Sequence, residues 1–243
     1  MNDITLVALS SGIDSTTVLA TALRASAPSE KGCACHRDNV HVIRCVYDSV
    51  AENEEVLRFQ KIASHFGIAK QNRHTIIMPR HLTSRASSVT SKFITMPKGT
   101  QDKPSNTFVP FRNATFFTQI AAYSVSFFGE DASIRVAMGM HAGDRACYPD
   151  CRAEFVDAMN DVAMLSCADA SKAVKLWAPF IRRKKHDVIT AGVQMGVPYG
   201  LTWSCYRDGE VHCGTCPACA ERREGFRMAR VEDPTTYGRV MGK

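Results

Sequence analysis

Two stretches of this 243-residue chain have residue types and spacings that could do chemistry. The first is Leu9-Ser10-Ser11-Gly12-Ile13-Asp14-Ser15-Thr16, small and polar after the apolar run from Ile4 to Leu9. A strand, a tight turn and a helix start make an anion site, because free N–H groups at the helix N-terminus and the helix dipole both favour negative charge. Gly12 permits close approach of the backbone, and the hydroxyls of Ser10, Ser11 and Ser15 add donors. The lysine of the G-x-x-x-x-G-K-[ST] phosphate loop is missing. The plainer alternative is an ordinary turn capped by Asp14 or Ser15. The second stretch carries Cys205, Cys213, Cys216 and Cys219, spaced C-x7-C-x2-C-x2-C. Two-residue spacers turn neighbouring thiolates onto one ion, and four thiolates match a closed structural zinc site. Gly209 and Gly214 allow the turns between them. His212 replacing a cysteine and an iron–sulfur cluster are the competing readings.

Other reactive side chains gather in loops. Residues 139–152 offer His141, Asp144, Arg145, Tyr148, Asp150 and Arg152, a set suited to a polar heterocycle and a nucleotide. In Phe108-Val109-Pro110-Phe111-Arg112-Asn113, Asn113 is a reasonable helix cap, which sets Arg112 at a helix N-terminus where it can meet an anion. Arg182-Arg183-Lys184-Lys185 is the densest basic cluster. Cys33-Ala34-Cys35-His36 has too short a spacer for tetrahedral zinc and reads as a free loop. Cys45, Cys147, Cys151 and Cys167 read as core or loop residues, with Cys151 near enough to polar neighbours to contact a substrate.

The elements that must position these groups alternate. Strands are expected at 4–9, 40–47, 74–78, 133–138 and 174–177. Helices are expected from Ser15, over 52–66, from about 113 to 128, over 151–167 and over 184–195. The β-α-β-α-β start argues for a parallel sheet, so the fold class is α/β, doubly wound, five-stranded, with a small C-terminal zinc-binding segment. Ligands in such sheets bind beyond the carboxyl ends of the strands where the order reverses. If strand four lies beside strand one, the 139–152 loop faces the 10–15 loop. Residues 1–200 form the nucleotide-binding unit and 201–243 the zinc knuckle with its helix. The Ser-, Thr- and Lys-rich stretch 79–106, with His81 and Arg85, reads as a mobile lid or insert. A 45% hydrophobic content allows a full core, and a net charge of +6 suits anionic small molecules without excluding nucleic acid. No apolar run approaches the roughly 20 residues of a membrane span. The start Met1-Asn2-Asp3-Ile4 has no basic n-region before a signal-length apolar core, so a cytoplasmic protein is expected.

These stretches carry a resemblance. The first loop resembles the pyrophosphate loop of the ATP pyrophosphatases, which cleave ATP to AMP and pyrophosphate. Four blocks in order resemble the QueC family, the 7-cyano-7-deazaguanine synthases. They are Ser10 to Thr17, Thr107 to Asn113, Cys147 to Phe155, and Leu201 to Tyr206 with the cysteine cluster ending in Arg222-Arg223-Glu224-Gly225-Phe226. The resemblance implies an enzyme that uses ATP with Mg2+ to adenylate the carboxylate of 7-carboxy-7-deazaguanine. Ammonia then gives an amide, and a second activation gives the nitrile. It implies that Leu9 to Thr16 bind the nucleotide, with Ser10, Ser11, Gly12 and Ser15 on the phosphates. Asp14 is either a metal contact or a loop brace. Arg112 and Lys185 stabilise charge on the transferred adenylyl group; the alternatives are a surface salt bridge and a solvated basic cluster. The resemblance further implies Arg112, Asn113, Asp144, Tyr148, Asp150 and Arg152 as candidates for binding the deazaguanine substrate. Family members often form homodimers, and the apolar face around Phe116 to Phe128 could serve that contact or the core.

Three departures stand out. Ser11 and Phe111 occupy positions where the family usually has glycine, and Asp48-Ser49-Val50-Ala51-Glu52 follows Tyr47 where an Arg-His pair is usual. They keep two other readings open. One is a paralogue that stops at an amide, joining the deazaguanine carboxylate to a protein amine in bacterial defence, with 79–106 as a docking surface. The other is an inactive nucleotide-binding module. The tRNA sulfur-inserting relatives of the same loop need a reactive cysteine pair and an RNA-binding appendage, and no such appendage is seen.

Overall fold

The computed structural model describes residues 3–26, 38–78, 87–100, 106–143, 148–167, 169 and 174–238. Five strands form one parallel sheet: β1 (Asp3–Ala8), β2 (Val40–Val46), β3 (Arg73–Ile77), β4 (Ser133–Ala137) and β5 (Lys175–Trp177). Their spatial order is β3-β2-β1-β4-β5, so the direction of winding reverses between β1 and β4. Strand four does lie beside strand one, with Leu6 paired to Val136 and Val7 to Ala137. The central strands are apolar runs because both faces of the sheet are covered. On one face, α1 (Ile13–Ala25), α2 (Glu52–His65), α5 (Lys185–Gln194) and α6 (Pro217–Ala229) pack on Val7, Val40 and Val42. On the other, α3 (Arg112–Phe128) and α4 (Ala153–Leu165) pack on Leu6, Ile43 and Val136. The doubly wound α/β architecture expected from the pattern is what forms. No helix among the described residues is long and apolar enough to cross a membrane.

Element bounds agree with the pattern to within about two residues, and two local expectations change. The residue before the first turn of α3 is Phe111, in a left-handed conformation (φ 62°), not Asn113. Asn113 lies inside the helix, buried, with its side-chain amide donating to Cys151 Sγ at 3.7 Å. The stretch 79–106 is also not simply a solvated insert. Residues 87–100 pack down: Ser87, Ser88, Val89 and Met96 are buried, and Met96 joins Trp203 and three of the cysteines in a third small core. Backbone bonds fasten the segment, from Val50 N to Val89 O (2.8 Å) and from Gly99 N to Thr215 O (3.0 Å). Its polar residues mislead because their hydroxyls turn inward onto backbone and sulfur, as Ser88 does toward Asn106 and Met96. His81, Arg85 and the Cys33–His36 group lie outside the described residues.

One glycine sets the geometry that matters. A side chain at Gly139, just past β4, would put its Cβ 2.6 Å from Ser15 N and 2.9 Å from the Asp14 carbonyl carbon. Glycine lets the end of β4 lie directly on the first turn of α1, which closes the back of the crevice.

Candidate active site and metal centre

The crevice at the switch point is a cleft of about 230 Å³, bounded by residues from nearly every element. Its floor is the first loop. Gly12 is the N-cap of α1 and no side chain caps it, so the helix end stays open to an external anion. Ser10 and Ser15 face each other, Oγ to Oγ, at 3.1 Å, and Ser10 N donates to Ser15 Oγ at 3.2 Å. Leu9, Ser10, Gly12, Ile13, Asp14 and Ser15 line the cleft. Ser11 and Thr16 do not. Ser11, left-handed (φ 68°) and buried, donates its hydroxyl to Glu55 O (2.9 Å) and takes the Trp203 N–H on its carbonyl (2.9 Å). The Thr16 hydroxyl bonds back to Gly12 O at 2.7 Å. Both therefore brace the loop from behind rather than offering hydroxyls to a ligand.

Four ionisable groups meet at the loop's edge. Lys185 Nζ lies 2.7 Å from Asp14 Oδ2, 3.2 Å from His141 Nε2 and 3.5 Å from Glu221 Oε2. His141 is fully buried and its Nδ1 accepts the Gly143 N–H at 3.1 Å. Lys185 reaches this point because Gly225 on α6 has no side chain; a Cβ there would sit 2.7 Å from Lys185 Cγ. Burial works to raise the Asp14 pKa, but the nearby Lys185 and His141 outweigh it and hold the carboxyl below its ordinary value. Asp14 Oδ1 is buried and has no hydrogen-bond partner among the described residues.

The far wall is built on Arg112. Burial opposes its charge, but Tyr47, Tyr206, Asp150 and Cys151 outweigh that and keep the guanidinium firmly protonated. Tyr47, Phe116, Tyr148 and Tyr206 supply flat apolar surface around it. Tyr47 and Phe116 meet edge to face at 5.2 Å, and Tyr148 shares its hydroxyl with Thr107 (2.8 Å) and Tyr206 (3.4 Å). Burial pushes Tyr47 up to about 12, with Glu55 adding to it. Glu55 lines the same wall, and burial lifts its pKa to about 7.

The structure thus brings Asp14, Lys185, Arg112, Asn113 and Tyr148 to one cleft. Asp150 and Arg152 are not among its lining residues. Asp150 lies beside Arg112, where burial raises its pKa and the guanidinium opposes that rise. Arg152 is exposed, at the N-cap of α4. The 3-10 turn Pro149–Cys151, which contains Asp150, redirects the chain between Tyr148 and Arg152, which the spacing alone does not reveal. Asp144 lies outside the described residues. His141 belongs to the 139–152 set that the sequence offers, whereas nothing in the motifs points to Glu221. Glu55 did carry a signal: it falls four and seven residues before Phe59 and Ile62 on the buried stripe of α2, an odd place for a carboxylate.

The metal centre is separate in construction but shares a wall. The sulfurs of Cys205, Cys213, Cys216 and Cys219 all lie within 4.8 Å of one another. Cys213 to Cys219 is 3.9 Å and Cys205 to Cys216 is 4.0 Å. Tetrahedral zinc–thiolate bonds of about 2.3 Å need sulfurs about 3.8 Å apart. Backbone N–H groups of Arg207 and Cys213 point at Cys205 Sγ (3.4 Å each), and those of Thr215 and Cys216 at Cys213 Sγ (3.5 and 3.3 Å). Such donors stabilise thiolate charge. The residues fit one tetrahedral ion. His212 does not join them: its Nε2 accepts the Ser204 N–H at 3.0 Å, and its ring packs 4.2 Å from that of Trp203.

Comparison with known proteins agrees with this construction. A family model described as "Queuosine biosynthesis protein QueC" matches residues 4–230. The chain is 35% identical over 241 residues to the 7-cyano-7-deazaguanine synthase of Alteromonas mediterranea, covering 98% of this chain and 100% of that protein. It is 32% identical to the synthase of Caldicellulosiruptor bescii, covering 96% of each. A shorter alignment with the synthase of Caldicellulosiruptor saccharolyticus is 40% identical over 153 residues, 62% of this chain and 65% of that protein. On the family match and these near full-length alignments, the chain belongs to the QueC family.

Proposed function

We propose that this chain is an ATP-dependent C–N ligase that adenylates 7-carboxy-7-deazaguanine and converts it with ammonia, via an amide, to 7-cyano-7-deazaguanine. One arrangement supports this most: an uncapped helix N-terminus and an arginine ringed by aromatic side chains open on the same cleft. ATP lays its phosphates on Ser10, Gly12, Ser15 and the first turn of α1. The substrate carboxylate, held near Arg112, attacks the α-phosphorus. A carboxyl–phosphorus bond forms, the bond to the pyrophosphate oxygen breaks, and Lys185 and Arg112 offset the charge that develops. Ammonia then attacks the activated carbonyl, AMP leaves, and a second ATP activates the amide oxygen for loss as AMP, leaving the nitrile.

Asp14 Oδ1, buried and unpaired, is the protein atom best placed for Mg2+ carried in with ATP. Mg2+ held there would supply positive charge to offset that of the phosphates. We assign zinc to the four cysteines as a structural ion, since four thiolates leave no open position for substrate. Residues 1–200 then act as the ATP-binding unit. In the C-terminal unit 201–243, the described residues 201–238 form a metal-held wall that carries Trp203, Tyr206 and Glu221 to the cleft.

The test is to incubate the protein with ATP, Mg2+, 7-carboxy-7-deazaguanine and ammonium and to read products by mass spectrometry. The nitrile is expected, with AMP released. Failure to release AMP, or accumulation of the amide alone, rejects this reading.

A further inference from the structure

A half-buried carboxylate in line with the buried stripe of a helix needs a reason, because withdrawing a charge from water without an ion-pair partner is costly. Glu55 is such a group. Among the described residues it forms no salt bridge, and its one side-chain hydrogen bond is from Ser49 Oγ to Oε1 at 3.2 Å. Its backbone is pinned from two sides, by Ser11 Oγ on its carbonyl (2.9 Å) and by its own N–H on Ala51 O (3.0 Å). It lines the cleft on the wall that also holds Arg112 and the rings of Tyr47, Phe116 and Tyr206. The charged and titratable groups that bear on it are Arg112 from α3, Arg44 from β2, Glu52 from its own helix and Tyr47 after β2. Aromatic walls accept a flat ring, an arginine accepts its carboxylate, and a second carboxylate in the same wall asks for N–H donors.

We propose that Glu55 determines substrate specificity by accepting the ring N1–H and the 2-amino N–H of the deazaguanine, so that only a 2-aminopyrimidin-4-one ring is held for reaction. The inference rests on the proposed ligase reading and adds the group that reads the ring. Two adjacent N–H donors match the two oxygens of one carboxylate. Adenine offers one amine beside a ring-nitrogen lone pair, which an ionised Glu55 repels, so the residue belongs to the heterocycle that reacts and not to ATP. Burial lifts Glu55 to a pKa of about 7, so it is mostly ionised at pH 8 and about 90% protonated at pH 6. Protonation removes an acceptor, and binding of the ring then requires loss of that proton.

The experiment measures AMP release by the metal-loaded full chain at saturating ATP, with 7-carboxy-7-deazaguanine and with its analogue lacking the 2-amino group. Wild-type protein is expected to favour the amino compound by about 100-fold in kcat/KM, because the analogue leaves a buried acceptor unpaired. In Glu55→Gln that preference is expected to fall about tenfold, carried by KM for the heterocycle, with KM for ATP unchanged. The wild-type KM for the heterocycle is expected to rise about tenfold from pH 8 to pH 6, and to stay flat in Glu55→Gln. If Glu55→Gln does not fold, Glu55→Asp, which draws the carboxylate back, must raise the same KM. Turnover of both compounds with equal preference in wild-type and variant overturns the assignment of Glu55 alone. A KM change confined to ATP does the same. No AMP release from either compound overturns the ligase reading and this inference with it.

Discussion

Two helix N-termini face the cleft region; neither has a side-chain cap hydrogen bond, and they differ in what the chain places beside them. At α6 the chain supplies its own negative charge. Cys216 is the N-cap, Pro217 follows, and Cys216 and Cys219 place sulfurs at the helix start beside those of Cys205 and Cys213. Backbone N–H groups are turned onto those sulfurs. At α1 the N-cap is Gly12, no side chain caps it, and the nearest carboxylate, Asp14, is held by Lys185 with one oxygen left unpaired. Sulfurs gathered at a helix start close it to an outside anion; a start without them stays open to one. On the proposed reading, the same dipole serves folding at one end of the cleft and ligand binding at the other.

Removing one thiolate is the strongest way to break the contrast. Cys216→Ser is expected to lose nearly all bound metal and most soluble yield, since structural zinc binding contributes on the order of 10 kcal/mol to folding. Metal analysis of purified protein checks it. About one zinc per chain retained in the variant would refute the four-thiolate site. At the open end the expected loss is of activity and not of fold. Asp14→Ala should cut AMP formation by about 10³-fold or more, with a melting temperature within a few degrees of wild type. Lys185 keeps Glu221 at 3.5 Å in that variant, so the lysine is not left without a carboxylate. Normal turnover would remove Asp14 from the site.

What the sequence discloses follows the same division. Closed features are local: a C-x7-C-x2-C-x2-C spacing, a run of buried strand residues such as Ile4 to Val7, a glycine at the end of α2. Each is written in neighbouring residues, and the sheet order followed from the alternation they produce. The open cleft is assembled from β1, α1, β2, α2, α3, the turn after β4, α5 and α6, and its walls are legible only where a residue breaks a local pattern. Lys185 and Asp14, 171 positions apart, could be suspected from the loop and the basic cluster but not paired. Glu221 has no pattern to break, because α6 is charged along much of its length and its role comes from Gly225 letting Lys185 close in. Arg152 is misplaced by spacing alone, because the short 3-10 turn before it redirects the chain.

The two helix ends are joined by a brace that can be tested by itself. Arg222, fully buried on α6, donates to Asp233 Oδ1 (3.1 Å), Thr202 Oγ1 (2.7 Å), Ser204 Oγ (3.2 Å) and Tyr199 O (3.0 Å). Trp203 sits between two of those partners and its N–H donates to Ser11 O in the loop before α1. Asp233→Ala leaves a buried guanidinium without its carboxylate and is expected to cost about 3–5 kcal/mol. Urea unfolding checks this. A midpoint equal to wild type would mean that the closed end does not depend on the pair.

The smallest effect is expected where the open end carries backbone strain. Phe111 and Ser11 are both left-handed, at φ 62° and 68°, positions that L-residues occupy at a cost of about 1–2 kcal/mol. The two differ in what the side chain returns. Phe111 is 79% exposed and stands at the start of α3 beside Arg112. Ser11 is buried and its hydroxyl holds Glu55 O at 2.9 Å, a bond worth about 1 kcal/mol. Phe111→Gly therefore relieves strain with little packing lost. After glycine's larger unfolded-state entropy is counted, it should gain about 0.5–1 kcal/mol, or about 1–4 °C in melting temperature. Ser11→Gly relieves the same strain and forfeits the hydroxyl, so its melting temperature should stay within about 2 °C of wild type. Thermal melts of the pair separate strain from contact. A lower melting temperature for Phe111→Gly would show that the ring holds the α3 start in place, and that the strain at Phe111 is offset by packing rather than stored at the cleft.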